Sequence, residues 1–105
     1  MEAPLDPEPQ LEVSWEDAPG IRRVKIAGEI DLVCVEELAA ALEADRSRLV
    51  VDLTEVSFLD LTGLRCLTDA AADCEVTLIP SSTVRRLLEI TDTTGYFVLS
   101  GFEKP

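Results

Sequence analysis

Histidine is absent from this chain of 105 residues, and cysteine, tryptophan and tyrosine are scarce, at three, one and one. Without histidine, the usual general base and the commonest metal ligand are missing. Cys34, Cys66 and Cys74 are an odd, widely spaced set with no Cys-x-x-Cys, which argues against both a zinc site and a disulfide framework. They read as reduced thiols serving as small core hydrophobes, with no companion residue that would lower a thiol pKa. Basic residues are few as well, 9 against 21 acids, for a net charge of −12. That field repels nucleic acid and anionic lipid and attracts a basic protein partner. Gly28, Gly63 and Gly95 are isolated, so no glycine-rich loop exists to cradle a phosphate. No apolar run approaches the ~18 residues of a membrane helix, and the N-terminus has neither the basic start nor the apolar centre of a signal peptide. The expectation is a cytoplasmic protein without cofactor, nucleic-acid partner or direct membrane insertion, working by binding rather than catalysis.

The length suits one compact domain. Residues 1–10, with three prolines and three acids, predict a flexible acidic arm, and residues 11–105 the domain. Leu11, Val13 and Trp15 alternate with Glu12, Ser14 and Glu16, the period-two signature of a half-buried strand. Pro19-Gly20 then turns the chain into a second strand, where Val24 and Ile26 alternate with Arg23 and Lys25. Gly28-Glu29-Ile30-Asp31 breaks that pattern. From Val35, apolar residues recur at helical spacing through Leu38 and Leu42 with Glu36, Glu37 and Glu43 turned to water. Leu49-Val50-Val51-Asp52-Leu53 is a nearly continuous apolar run, the pattern of a strand covered on both faces. Asp60 opens a second helix along Leu64, Leu67 and Ala71, and Cys74, Val76 and Leu78 alternate as a strand. Pro80-Ser81-Ser82 starts a third helix along Val84, Leu87, Leu88 and Thr91, and Tyr96 to Leu99 makes a last short strand. The order β-β-α-β-α-β-α-β implies an α/β fold: a mixed, mostly parallel sheet with an N-terminal hairpin and helices packed against it by right-handed crossovers.

Three stretches in this order carry a resemblance: Gly28-Glu29-Ile30-Asp31 with its following helix, Val51-Asp52-Leu53 through Leu64, and Ile79-Pro80-Ser81 leading into Val84-Arg85-Arg86-Leu87-Leu88. Together they resemble the STAS family, the small domains of sulfate transporters and anti-sigma factor antagonists, over nearly all of residues 11–100. The family's usual signature is a buried strand followed by Asp-Ser-Ser/Thr-Gly-Leu. Asp60, Thr62, Gly63 and Leu64 stand as that signature has them, whereas Leu61 occupies the position at which regulated members carry the phosphorylated Ser or Thr. STAS domains commonly finish with another helix beside the last strand, for which residues 100–105 leave little room.

The resemblance implies an anti-sigma factor antagonist that binds a kinase-like anti-sigma factor and so releases a sigma factor for transcription. The alternative is a STAS subunit of a lipid-transport ABC complex or a stress-signalling assembly, where no phosphosite is needed. For the antagonist the partner-binding candidates are Gly28, Glu29 and Asp31 in the first loop and Asp60, Leu61, Thr62, Gly63 and Arg65 at the second helix. Physical chemistry supplies a second reading for most of them. Asp60 is also an N-cap, Asp31 a cap for the first helix, and Gly28 a backbone requirement. Thr62 either accepts a phosphate among the N–H groups of residues 61 to 63 or faces solvent in the first turn. Leu61 either stands exposed as an apolar contact or tucks against Leu59 or Ile30. Arg65 is a rim charge or part of a solvated face.

Overall fold

The computed structural model describes residues 11–31, 35–43 and 47–101. The expected acidic arm of residues 1–10 and Cys34 lie outside them. The elements are β1 (Leu11–Ala18), β2 (Ile21–Ile30), α1 (Val35–Leu42), β3 (Arg48–Leu59), α2 (Leu61–Asp73), β4 (Glu75–Pro80), α3 (Ser82–Ile90), a single 3₁₀ turn at Thr94–Tyr96, and β5 (Val98–Leu99). They form one sheet in sequence order, β1-β2-β3-β4-β5. β1 and β2 are the expected antiparallel hairpin, running from Leu11↔Gly28 to Ala18↔Ile21, and every later pairing is parallel.

Side chains from one face of the sheet make the core. Ile26, Leu49, Val51, Leu53, Val76 and Leu78 are sealed beneath Leu38, Leu67, Val84 and Leu88 of the helices. The hairpin is tied to α1 by Arg22, whose guanidinium donates to both Asp17 carboxylate oxygens at 2.7 and 3.0 Å and to the Ala41 carbonyl at 3.0 Å. Those bonds to Asp17 hold the Arg22 pKa above its ordinary value. The same guanidinium lies 4.7 Å from the Trp15 ring centre, which explains how an exposed tryptophan is tolerated on an edge strand.

Three local expectations change. β3 is covered on one face only: Leu49, Val51 and Leu53 are buried, while Val50 and Asp52 between them are half-buried. The Asp52 carboxylate accepts from the Thr54 N–H and hydroxyl at 2.9 and 2.7 Å, bonds that suit a side chain open to water. Second, Gly28-Glu29-Ile30 does not end β2. The strand continues through register shifts at Lys25/Ala27 and Gly28/Glu29, and the irregularity falls on Gly28 at φ +112°, a backbone that glycine adopts without strain. Third, Tyr96 closes the 3₁₀ turn, and only Val98 and Leu99 of the expected Tyr96–Leu99 strand pair with β4.

Candidate functional site

β2 and β3 end side by side, with Glu29 opposite Phe58 and Ile30 opposite Leu59. The Asp60 N–H donates to the Ile30 carbonyl at 3.0 Å, carrying the ladder one step past the strand ends. There the chain turns. Asp60 has extended backbone (φ −92°, ψ 179°), its carboxylate accepts from the Gly63 N–H at 2.9 Å, and its carbonyl accepts from the Leu64 N–H at 2.9 Å. It is the N-cap the sequence predicted. One of the three N–H groups expected to be open is therefore occupied, and those of Leu61 and Thr62 have no side-chain cap among the described residues.

Gly63 is required here by space. A Cβ at this position would stand 2.6 Å from both Ile30 Cγ2 and Leu59 Cδ1, closer than packed carbons approach. The first turn of α2 thus rests directly on the two strand ends, and with Ile30 and Leu59 buried beneath it, Leu61 is turned outward and 66% exposed. Of the two positions open to Leu61 from the sequence, the structure adopts the exposed one. Thr62 and Glu29 are exposed and Asp31 is half-buried. Residues 32–34, through which Asp31 would cap α1, lie outside the described residues. Arg65 is exposed one turn along α2 and forms no ion pair among the described residues.

Cys66 follows, half-buried against the core. Burial pushes its thiol pKa up, and the nearby Asp69 and Asp60 charges push it further, so it stays protonated near neutrality. Cys66 and Cys74 are not joined to each other, and the Cys74 thiol lies 3.7 Å from the Ala70 carbonyl. Among the described residues no group of histidine, cysteine or acidic side chains is placed to hold a metal ion, and no helix is long and apolar enough to cross a membrane.

A bulge at Gly28, a capped helix seated on glycine, and an outward first turn occupy one end of a sequential mixed sheet. The family model described as "Mlab, STAS domain" matches residues 14–99. The chain belongs to the STAS domain family. Among solved STAS-like structures, an anti-sigma factor antagonist from Mycobacterium paratuberculosis shares 25% identity with a TM-score of 0.73, covering 93% of this chain and 92% of that one. The phosphorylated form of the Bacillus cell fate determinant SpoIIAA shares 17% identity with a TM-score of 0.65, over 85% and 91% of the two chains. An anti-sigma factor antagonist STAS domain from Rhodobacter sphaeroides shares 17% with a TM-score of 0.55, over 85% and 97%. The last two likenesses concern the fold. No curated protein matches the chain.

Within this STAS domain, the residues predicted for the site gather at one end. Asp60, Leu61, Thr62 and Gly63 form the helix start, the Gly28–Asp31 stretch lies beside it, and Arg65 is a turn away. Sequence reasoning did not include Phe58, which is 48% exposed next to Glu29. Its signal was present: Phe58 falls between the buried positions Val56 and Leu59, where a strand shifting register presents a residue outward.

Proposed function

We propose that this STAS domain is an anti-sigma factor antagonist whose docking surface is the start of α2 with the adjoining end of β2. The observation that carries the proposal is Leu61, exposed in the first helical turn at the family's phosphoacceptor position. Apolar Leu61 and Phe58 sit among the acids Glu29, Asp31 and Asp60, a combination that suits a protein with an apolar patch rimmed by basic groups. The Mycobacterium antagonist, similar over nearly its whole length, supports that class of partner. The partner is an anti-sigma factor of the kinase-like type, whose capture releases a sigma factor for transcription.

Phosphoryl transfer needs an acceptor oxygen, and leucine has none. Binding at this surface is therefore not switched off by phosphate on residue 61, and the nearest hydroxyl is that of exposed Thr62. The test is calorimetric titration of the cognate anti-sigma factor with the protein and with Leu61→Asp, alongside incubation with ATP. Leu61→Asp should weaken binding at least tenfold, the loss of roughly 1.4 kcal/mol or more expected for a central apolar anchor. Any phosphate should map to Thr62. Unchanged affinity in Leu61→Asp, or stoichiometric phosphate on Thr54 or Ser57, refutes the assignment.

Leu61 itself also favours a second reading, as a structural subunit of a lipid-transport ABC complex or stress-signalling assembly, in which no acceptor hydroxyl is required. Co-purification from the native host with a permease and an ATPase, in place of an anti-sigma factor, decides for it.

A further inference from the structure

α1 and α2 each link two parallel strands, so they lie side by side and run the same way, with their C-terminal ends together. A helix C-terminus carries partial negative charge, which bases usually offset. Neither helix has a base in its last turn. Asp73 is instead the last residue of α2, Asp69 stands one turn before it on the same side, and Glu43 follows the last residue of α1. The two aspartates repel each other as well as the helix end. None of the three acids is in an ion pair among the described residues. Arg22, which touches this end through the Ala41 and Glu43 carbonyls, gives its other N–H groups to Asp17.

These acids rim a groove of about 210 Å³ with an apolar floor, where Ala39 and Leu42 of α1 face Cys66 and Ala70 of α2. No base lines it. On the bare sheet face, away from the helices, the grooves differ: Glu16 and Asp52 share one with Arg23 and Lys25, so the charges cancel. Arg85 and Arg86 border a third groove with Pro80, Ser82 and Glu89, where bases outnumber acids. An acid-only rim around an apolar floor is confined to the α1–α2 groove among these.

We propose that the α1–α2 groove docks a basic amphipathic helix of a partner protein, one apolar side chain filling the floor and lysines or arginines meeting Glu43, Asp69 and Asp73. Charge selects the sign of the partner: a cation relieves both the repulsion between the aspartates and the negative helix ends, whereas nucleic acid or anionic lipid is repelled. Shape selects a helix, because two helices side by side leave a furrow into which the side chains of a third can pack. Spacing agrees, since bases one turn apart on that helix match Asp69 and Asp73, themselves one turn apart. This surface is separate from the one at Leu61, which stands at the other end of α2, about 18 Å from Asp73 along the axis.

The test takes the full chain and, as probe, an amphipathic helical peptide of leucine and lysine, with a leucine–glutamate peptide as its charge-reversed control. In calorimetry at about 0.15 M salt the lysine peptide should bind and the glutamate peptide should not. Asp69→Asn combined with Asp73→Asn should weaken binding at least about tenfold, while Glu12→Gln with Glu16→Gln, an equal loss of charge on β1, should change it by less than about twofold. Ala39→Trp, at an exposed position, obstructs the floor without altering charge and should weaken binding at least about fivefold. On titration the amide resonances of Ala39, Cys66 and Ala70 should move and that of Leu61 should not. Because Asp73 opposes the helix dipole, Asp73→Asn should raise the melting temperature of the free protein. No binding of the lysine peptide overturns the proposal, as does binding of both peptides. Equal losses in the two charge pairs, or full affinity in Ala39→Trp, would reduce the effect to attraction by net charge and overturn it equally. A shift at Leu61 without one at Cys66 places the basic helix on the other surface, and a lower melting temperature in Asp73→Asn makes that acid structural; either result overturns the assignment.

Discussion

The same strands build two unlike faces. On one, Leu49, Val51, Leu53, Val76 and Leu78 have lost essentially all contact with water beneath the helices, of which α1 and α2 carry mostly acids and α3 two arginines and a glutamate. On the other, their neighbours Val50, Asp52, Thr77 and Ile79 are half-buried, and acids and bases are interleaved. Burial on the helix side is what holds the molecule together. The bare side is free to carry recognition, because a change there removes little from the core.

Adjacent residues of β4 test this contrast most strongly. Leu78→Ala, on the covered face, should cost about 2–5 kcal/mol, whereas Ile79→Ala should cost well under that because part of its surface is already in water. Urea unfolding of the two variants gives the comparison, and equal losses would mean that the bare face is packed. Next is Gly63→Ala, whose methyl has no room beside Ile30 and Leu59. Overpacking of this kind costs about 1–3 kcal/mol, and thermal melting should fall by roughly 4–8 °C for each kcal/mol. An unshifted melt would show that the helix start is not locked onto the strands.

Asp60→Ala should cost about 1 kcal/mol through the lost cap. A chemical melt reads this stability, while calorimetry with the proposed partner reads whether Asp60 also serves binding. The smallest stability effect belongs to the exposed Lys25–Glu55 pair: Glu55→Gln should alter monomer stability by at most ~0.5 kcal/mol. A larger loss would assign the bare-face charges to folding instead of recognition. Finally, because burial raises the Cys66 pKa, its alkylation by iodoacetamide should keep accelerating at pH values where an exposed thiol has levelled off. Unfolded chain ionises this thiol first, so Cys66 subtracts stability only as pH rises above the ordinary thiol pKa, and Cys66→Ala should remove that alkaline loss.

The strand–helix order, the hairpin and the Asp60 cap were legible because each depends on local signals: alternation, helical spacing, and an acid three residues before Gly63. Covering β3 on both faces was misread, since a run of five residues with one acid looks almost alike whether one side is wet or neither is. Asp52 was the clue, a charge at the position whose side chain faces water. The fate of Leu61 was not legible, as it depends on Ile30 and Leu59 filling the space under Gly63, a contact between segments about thirty residues apart.

The sequential strand order has a consequence for how the chain acquires its structure. Each strand after the first pairs with the one synthesised just before it, and no later segment must be inserted between two that are already joined. The topology therefore permits assembly outward in one direction, each new strand adding to a finished edge without displacing another. Wherever β5 is unpaired, the open edge is β4, six residues long and ended by Pro80, which offers a neighbouring chain only a brief template for misassembly.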